Sequence, residues 1–312
     1  MSAILELRGL TKKFGNVVAV NDVSLSLEPG DCFGFIGPNG AGKTTTIRVI
    51  ATLLDPTAGT AIVDGADVTK QPDDVRAVVG YMPDFFGVYD DVTVHEYLDF
   101  FASAYRIPFD RRRRIIEDVL ELADLASKRD TFVDTLSRGM KQRLCMAKTL
   151  VHDPKLLILD EPASGLDPRA RVEIKELLRE LTQMGKTVFV SSHILPELAD
   201  ICNKIGIIEQ GQLLVSGLVQ DIMQQVVGRA ALRIQIADGE CEALAEYVRT
   251  VPGVVGARVE NRAVVVHCDE SGVDQAQLLR ELIERGFRIA GFHEIEADLE
   301  DVFMRVTRGI VS

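Results

Sequence analysis

Residues Gly37-Pro38-Asn39-Gly40-Ala41-Gly42-Lys43-Thr44-Thr45 constrain this chain more than any other stretch. They fit the spacing G-x-x-x-x-G-K-[ST] at every fixed position. They also lie between a short apolar strand, Cys32 to Ile36, and a helical pattern running from Thr44 to Leu54, the context that this motif requires. Glycines let the backbone curl until successive N–H groups point inward at phosphate oxygens, and the positive end of the following helix adds to that field. Lys43 is placed to reach β- and γ-phosphates, and the Thr44 hydroxyl to ligate Mg²⁺. Thr45 reads either as a further phosphate contact or as a plain helix residue.

Two more segments carry chemistry. Leu156-Leu157-Ile158-Leu159 is an apolar strand of the buried parallel type, and it stops at Asp160-Glu161. Asp160 is placed to hold Mg²⁺, and Glu161 to polarise an attacking water as general base. Leu136-Ser137-Arg138-Gly139-Met140-Lys141-Gln142-Arg143 is a second small-residue turn that opens a helix. A nucleotide-binding fold does not need it, and it reads as half of an active site whose other half lies on another molecule. Further on, Ser191-Ser192-His193 follows a buried strand, Thr187 to Ser191.

Taken in this order, the motifs resemble those of the ATP-binding subunit of an ABC transporter, over about residues 4–220, and the end Asp298-Leu299-Glu300-Asp301-Val302-Phe303 resembles the tail of bacterial exporter-type ABC ATPases. The resemblance implies that Phe14 stacks on adenine and that Gly37–Thr45 (Gly37, Pro38, Asn39, Gly40, Ala41, Gly42, Lys43, Thr44, Thr45) is the Walker A loop that binds ATP. It also implies that Leu136–Gln142 is the signature motif, that Asp160 and Glu161 are the Walker B aspartate and catalytic glutamate, and that Ser164-Gly165-Leu166-Asp167 is the D-loop. His193 is then the switch histidine, and Lys43, Glu161 and His193 are the catalytic set. Two cassettes of this family pack head to tail, so Ser137 and Gly139 would bind the γ-phosphate of ATP held by the other subunit. Two positions depart from the family. Asp84 stands where glutamine is usual, and would join Thr44 and Asp160 around Mg²⁺. Arg138 and Met140 replace the third and fifth residues, Gly and Gln, of the usual LSGGQ.

The expected fold is α/β: a P-loop NTPase core of ABC type with an antiparallel β subdomain and a helical subdomain, followed by a small α+β domain. Residues 4–8 and 17–27 alternate as half-buried strands do, and 59–68 read as a hairpin turning at Asp64-Gly65. Val92 to Arg129 has helical periodicity, within a helical subdomain of about residues 85–150. Val172 to Met184 reads as an amphipathic helix with Gly185 as its C-cap. The nucleotide-binding domain is set at 1–225. The last lysine is Lys204, and from 226 to 312 the pattern becomes strand 231–237, helix 241–250, strands 254–260 and 263–268, helix 273–285 and strand 287–294. That βαββαβ order is ferredoxin-like. A last helix is expected over Leu299–Thr307, and the domain is read as an accessory or dimerisation element.

A net charge of −12 argues against a nucleic-acid partner. Five scattered cysteines read as reduced, buried thiols. The first residues lack a basic start and an apolar core, so no signal peptide is expected, and no apolar run approaches the ~18–20 residues that span a bilayer. The implied partners are therefore membrane-spanning permease subunits on separate chains and a second cassette, as homodimer or heterodimer. The implied place is the cytoplasmic face of the cell membrane. The competing reading is a soluble ABC ATPase acting on ribosomes or DNA; one Walker A loop, no long heptads and an acidic balance speak against it. The run Arg111–Arg114 reads as a solvated helix start or as a contact with lipid or a partner loop. Phe85, Phe86 and Tyr89 read equally as core or as the lining of a groove for the permease.

Overall fold

The computed structural model describes residues 3–85, 87, 91–194, 198, 200–222, 231–237, 241–260, 262–268 and 273–295. They fall into two compact units, Met1–Gly217 and Leu218–Ser312. The boundary expected at 225–226 lies among residues 223–230, outside the described residues, as do the expected helix Leu299–Thr307, Phe86 and Tyr89.

In the first unit the alternating segments form an antiparallel sheet. Strands β1 (Leu5–Phe14) and β2 (Val17–Leu27) pair antiparallel, and β4 (Ala58–Val63) pairs with the other edge of β1 and with β5 (Ala66–Asp67). Asp64 and Gly65, with φ of 50° and 84°, make the two-residue turn between β4 and β5. The second sheet has six strands in the order β10 (Gln212–Leu218), β9 (Lys204–Glu209), β3 (Cys32–Ile36), β8 (Thr187–Ser192), β7 (Leu156–Leu159), β6 (Val79–Met82). Strand β3 runs parallel to β8 and β9, and β7 runs parallel to β8 and β6. Every residue of β3, β7 and β8 is buried, which is why these strands read as continuous apolar runs without alternation. Phe33, Phe35 and Phe189 meet between β3 and β8 with ring centroids 5.3–6.4 Å apart, and fix the register of the central pair.

Helix α1 (Lys43–Ile50) leaves the glycine-rich turn, and α2 (Pro72–Val78) leads into β6. The helical subdomain consists of α3 (Val94–Ala104), α4 (Phe109–Leu122) and α5 (Arg138–Leu150), which pack on one another, and α5 also packs on β6. A capping box between Thr93 and Glu96 opens α3. In α4 the arginine run forms a solvated helix start: Arg113 and Arg114 are exposed and lie 3.0 Å from Glu117 and 3.9 Å from Asp118 of the same helix, while Arg112 lies 3.7 Å from Asp99 of α3. Helix α6 (Pro168–Gln183) starts four residues before the expected Val172.

The second unit contains β11 (Ala231–Ile236), α7 (Cys241–Val248), β12 (Val254–Glu260), β13 (Ala263–Cys268), α8 (Gln275–Glu284) and β14 (Ile289–Ile295). Its sheet order is β12-β13-β11-β14 with every pairing antiparallel, the arrangement that the βαββαβ order implied. Leu232, Ile234, Val264 and Val266 form its core with Leu244 and Val248 of α7 and Leu278 and Leu282 of α8.

Candidate nucleotide site

At the carboxyl end of β3 the chain turns through Gly37–Gly42 into α1, the edge of a parallel sheet where ligands bind in α/β folds. Two glycines are forced by close approach. A Cβ at Gly37 would stand 2.2 Å from the Ile208 carbonyl oxygen, and one at Gly42 would stand 2.4 Å from that of Ala19, at a φ of 106°. The curled turn brings Lys43 back over itself: its ammonium donates to the carbonyls of Gly37 at 2.6 Å and Pro38 at 3.2 Å, and lies 3.3 Å from Glu161 Oε1.

Strands β7 and β8 end beside this turn. Asp160, wholly buried, accepts the Ser191 hydroxyl at 2.7 Å through Oδ1, and the same Ser191 oxygen accepts the Glu161 N–H at 3.0 Å. Burial pushes the Asp160 carboxyl above its ordinary range; hydrogen bonds from Ser191 and Thr44 oppose that, and the charges of Asp84 and Glu161 reinforce it. Glu161 adopts a left-handed backbone, φ 51°, uncommon for a residue other than glycine. Its carboxylate lies between Lys43 and His193, with Oε2 2.7 Å from His193 Nδ1.

Beside these groups lies one cleft of about 340 Å³, lined by Ala19, Asn39 to Thr45, Asp84, Glu161, Ser164 and His193, with Asp160 buried outside that lining. Sequence reasoning named most of them. Ser191, which holds both acids in place, was quoted only as a neighbour of His193, and Ala19 and Ser164 carried no signal as lining residues. Phe14 lies outside this lining, at the β1–β2 hairpin, with its ring half exposed and Lys12 Nζ 5.1 Å from its centroid. Ser137 and Gly139 also lie elsewhere. They line a separate depression of about 280 Å³ with Arg138, Gly165, Asp167 and the first turn of α6. There the Ser137 hydroxyl caps α5 by accepting the Met140 N–H at 3.3 Å.

The donors at the cleft fit Mg²⁺. Asp160 Oδ2 is buried without a hydrogen-bond partner, and Asp84 and Thr44 bring a second carboxylate and a hydroxyl. Among the described residues no group of three His, Cys, Asp or Glu could hold a metal ion. Mg²⁺ does not need one, because it uses one or two carboxylates together with substrate phosphates and water.

A family model described as ABC transporter matches residues 20–164, and one described as ATP-binding protein DrrA1-3-like, C-terminal domain, matches residues 217–307. The Nod factor export ATP-binding protein I of Burkholderia orbicola is 34% identical over 98% of this chain and 97% of its own length. The chain belongs to the ABC transporter ATP-binding subunits. This ABC ATPase also resembles a solved ATP-binding subunit of an ABC transporter, with 28% identity, a TM-score of 0.66, and coverage of 79% of this chain and 98% of that one. A dimeric ATP-binding cassette in a post-hydrolysis state, bound to ADP and phosphate, is 25% identical with a TM-score of 0.62, covering 69% of this chain and 98% of its own. The ABC ATPase is thus an ATP-hydrolysing subunit that powers a separate permease. No described helix of it is long and apolar enough to cross a membrane.

Proposed function

We propose that this ABC ATPase drives an exporter, and that it works as a dimer whose two clefts are each completed by the signature turn of the other cassette. The observation that carries this reading is the separation within one chain: Lys43, Glu161 and His193 line one cleft, while Ser137 and Gly139 line another depression. Each half-site has donors suited to the same triphosphate. The dimeric relative bound to ADP and phosphate supports the arrangement, and the name of the Burkholderia relative supports export.

In this reading the N–H groups of the turn from Asn39 to Thr45 and the Lys43 ammonium hold the phosphates, and Phe14 stacks on the base. Thr44, Asp84 and Asp160 hold Mg²⁺, which when bound supplies positive charge to the β- and γ-phosphate oxygens. Glu161 takes the proton of the attacking water as its oxygen bonds to the γ-phosphorus, and ADP leaves with the electrons of the broken bond. His193 fixes the Glu161 carboxylate by its 2.7 Å contact and positions the water. Ser137 and Gly139 close on the γ-phosphate from the second cassette, either an identical chain or a similar one. ATP affinity thereby becomes affinity between cassettes, and hydrolysis releases it. The permease holds the assembly at the cytoplasmic face of the membrane, and the second unit of the chain assists dimerisation.

The Glu161→Gln variant tests this. It loses turnover by about a hundredfold or more, the scale of a positioned general base, while ATP still drives it into dimers measurable by light scattering. Adding Ser137→Arg in that background abolishes the ATP-driven dimer. Equal dimerisation with and without Ser137→Arg overturns the shared-site reading.

A further inference from the structure

The arginine that departs from the family's signature has found a use inside its own chain. Arg138 is the first residue of α5, and its guanidinium lies across the turn that joins Glu161 to α6. Its Nη2 donates to the Ser164 carbonyl at 3.5 Å. The contact requires a glycine beneath it: a Cβ built on Gly165, whose φ is 67°, would stand 2.3 Å from Nη2 and 2.7 Å from Cζ of Arg138. One turn further along α5, the buried Gln142 amide donates to the Pro162 carbonyl of the same turn. Helix α5 is therefore tied to residues 161–167 at two points, one buried and one exposed.

The two ends of this connection matter. At one end Glu161 and Ser164 line the cleft with Lys43; at the other Ser137 and Gly139 line the depression. We propose that Arg138, clasped on Gly165, is a positioning residue that makes the signature turn and the Ser164–Asp167 turn of one chain move as a unit. The inference rests on the shared-site reading above, because only there does the signature serve the other cassette. The clasp then passes the state of a chain's own cleft to the half-site that it lends. A guanidinium suits this, since its planar fork lies flat on a bare backbone as a lysine ammonium cannot.

The test is a double-variant cycle on the full chain, reading kcat and KM for ATP hydrolysis with thermal unfolding alongside. Arg138→Gly removes the fork. Gly165→Ala puts a methyl group where the fork lies, and the flexible arginine swings away. Each lowers kcat by about tenfold with KM within twofold; Arg138→Gly leaves the unfolding midpoint unchanged, Gly165→Ala lowers it because alanine is strained at a φ of 67°, and Arg138→Lys recovers only part of the loss. Because both variants break one contact, the double variant is no slower than the slower single one. Multiplying losses in the double variant, or an Arg138→Gly enzyme within twofold of the original kcat, overturns the clasp. A raised KM would overturn it too, since it would place Arg138 on the nucleotide. Full ATP-driven dimerisation of Glu161→Gln/Ser137→Arg would instead remove the shared-site reading, so the two failures are told apart.

Discussion

Asp84 is the residue where chemistry and family habit disagree most. Its Oδ1 accepts the Phe85 N–H at 2.8 Å, its carboxylate faces the cleft, and its charge helps to raise Asp160. An ionised carboxylate can meet a hard cation as an amide oxygen does, but it cannot donate a hydrogen bond. Asp84→Gln therefore keeps ATPase activity within about tenfold, roughly 1.4 kcal/mol in the barrier, and steady-state assays that found no turnover would contradict this. Most of the candidate site's lining was legible at this scale because phosphate and Mg²⁺ accept few residue types. Ser191 was not, because a serine at the end of a buried strand looks like any other. Only the fold shows its oxygen taking the Glu161 N–H while its hydrogen serves Asp160.

Elements were legible where one physical signal dominated. Strands β7 and β8 are wholly buried and read as apolar runs; α3 and α4 carried helical periodicity. Strand β6 is four residues, Val-Gly-Tyr-Met, too short and mixed to show a period. The start of α6 was missed for a different reason. Asp167 was read as part of the D-loop, yet its side chain also accepts the Ala170 N–H at 3.0 Å and Pro168 fills the first turn, an ordinary N-terminal signal. The end of α5 adds a pH effect. His152 Nε2 meets the Val79 carbonyl at 2.9 Å, and its ring stacks on Tyr105 with centroids 3.8 Å apart. Burial pushes its pKa below the ordinary histidine value. The unfolded chain then takes up the proton first. The stability that neutral His152 contributes is complete above about pH 6.5 and drains away as pH falls through the lowered folded value. His152→Phe keeps a stacking ring without the titration. It costs about 1 kcal/mol at neutral pH for the lost hydrogen bond, and urea unfolding midpoints fall less between pH 7.5 and 5 in this variant than in the original chain.

At the scale of the whole molecule, the two units have separate cores, and the residues proposed for catalysis all belong to the first. The βαββαβ order of the second was readable because each strand and helix there is short and distinct. Its contribution was not, since no residue in it carries recognisable chemistry. A chain ending at Gly217 is expected to bind ATP with unchanged KM and to turn over at the original rate at high protein concentration. Its activity should fall on dilution, several-fold sooner than that of the full chain, as the assisted dimer is lost. Identical dilution curves would leave the second unit without a part in dimerisation.

The position of β3 in the sheet order has a consequence for biosynthesis. This strand carries the phosphate turn, yet both its neighbours come from far downstream: β3 ends at Ile36, β8 begins at Thr187, and β9 begins at Lys204. At roughly 5–20 residues per second on the ribosome, about 150 residues of further synthesis leave the strand with bare edges for roughly 8–30 s. Its apolar sequence, Cys-Phe-Gly-Phe-Ile, is meanwhile open to wrong pairing. The antiparallel sheet, complete by Asp67, can close early in that interval, so the nascent chain is a folded β cap attached to an unfinished nucleotide site.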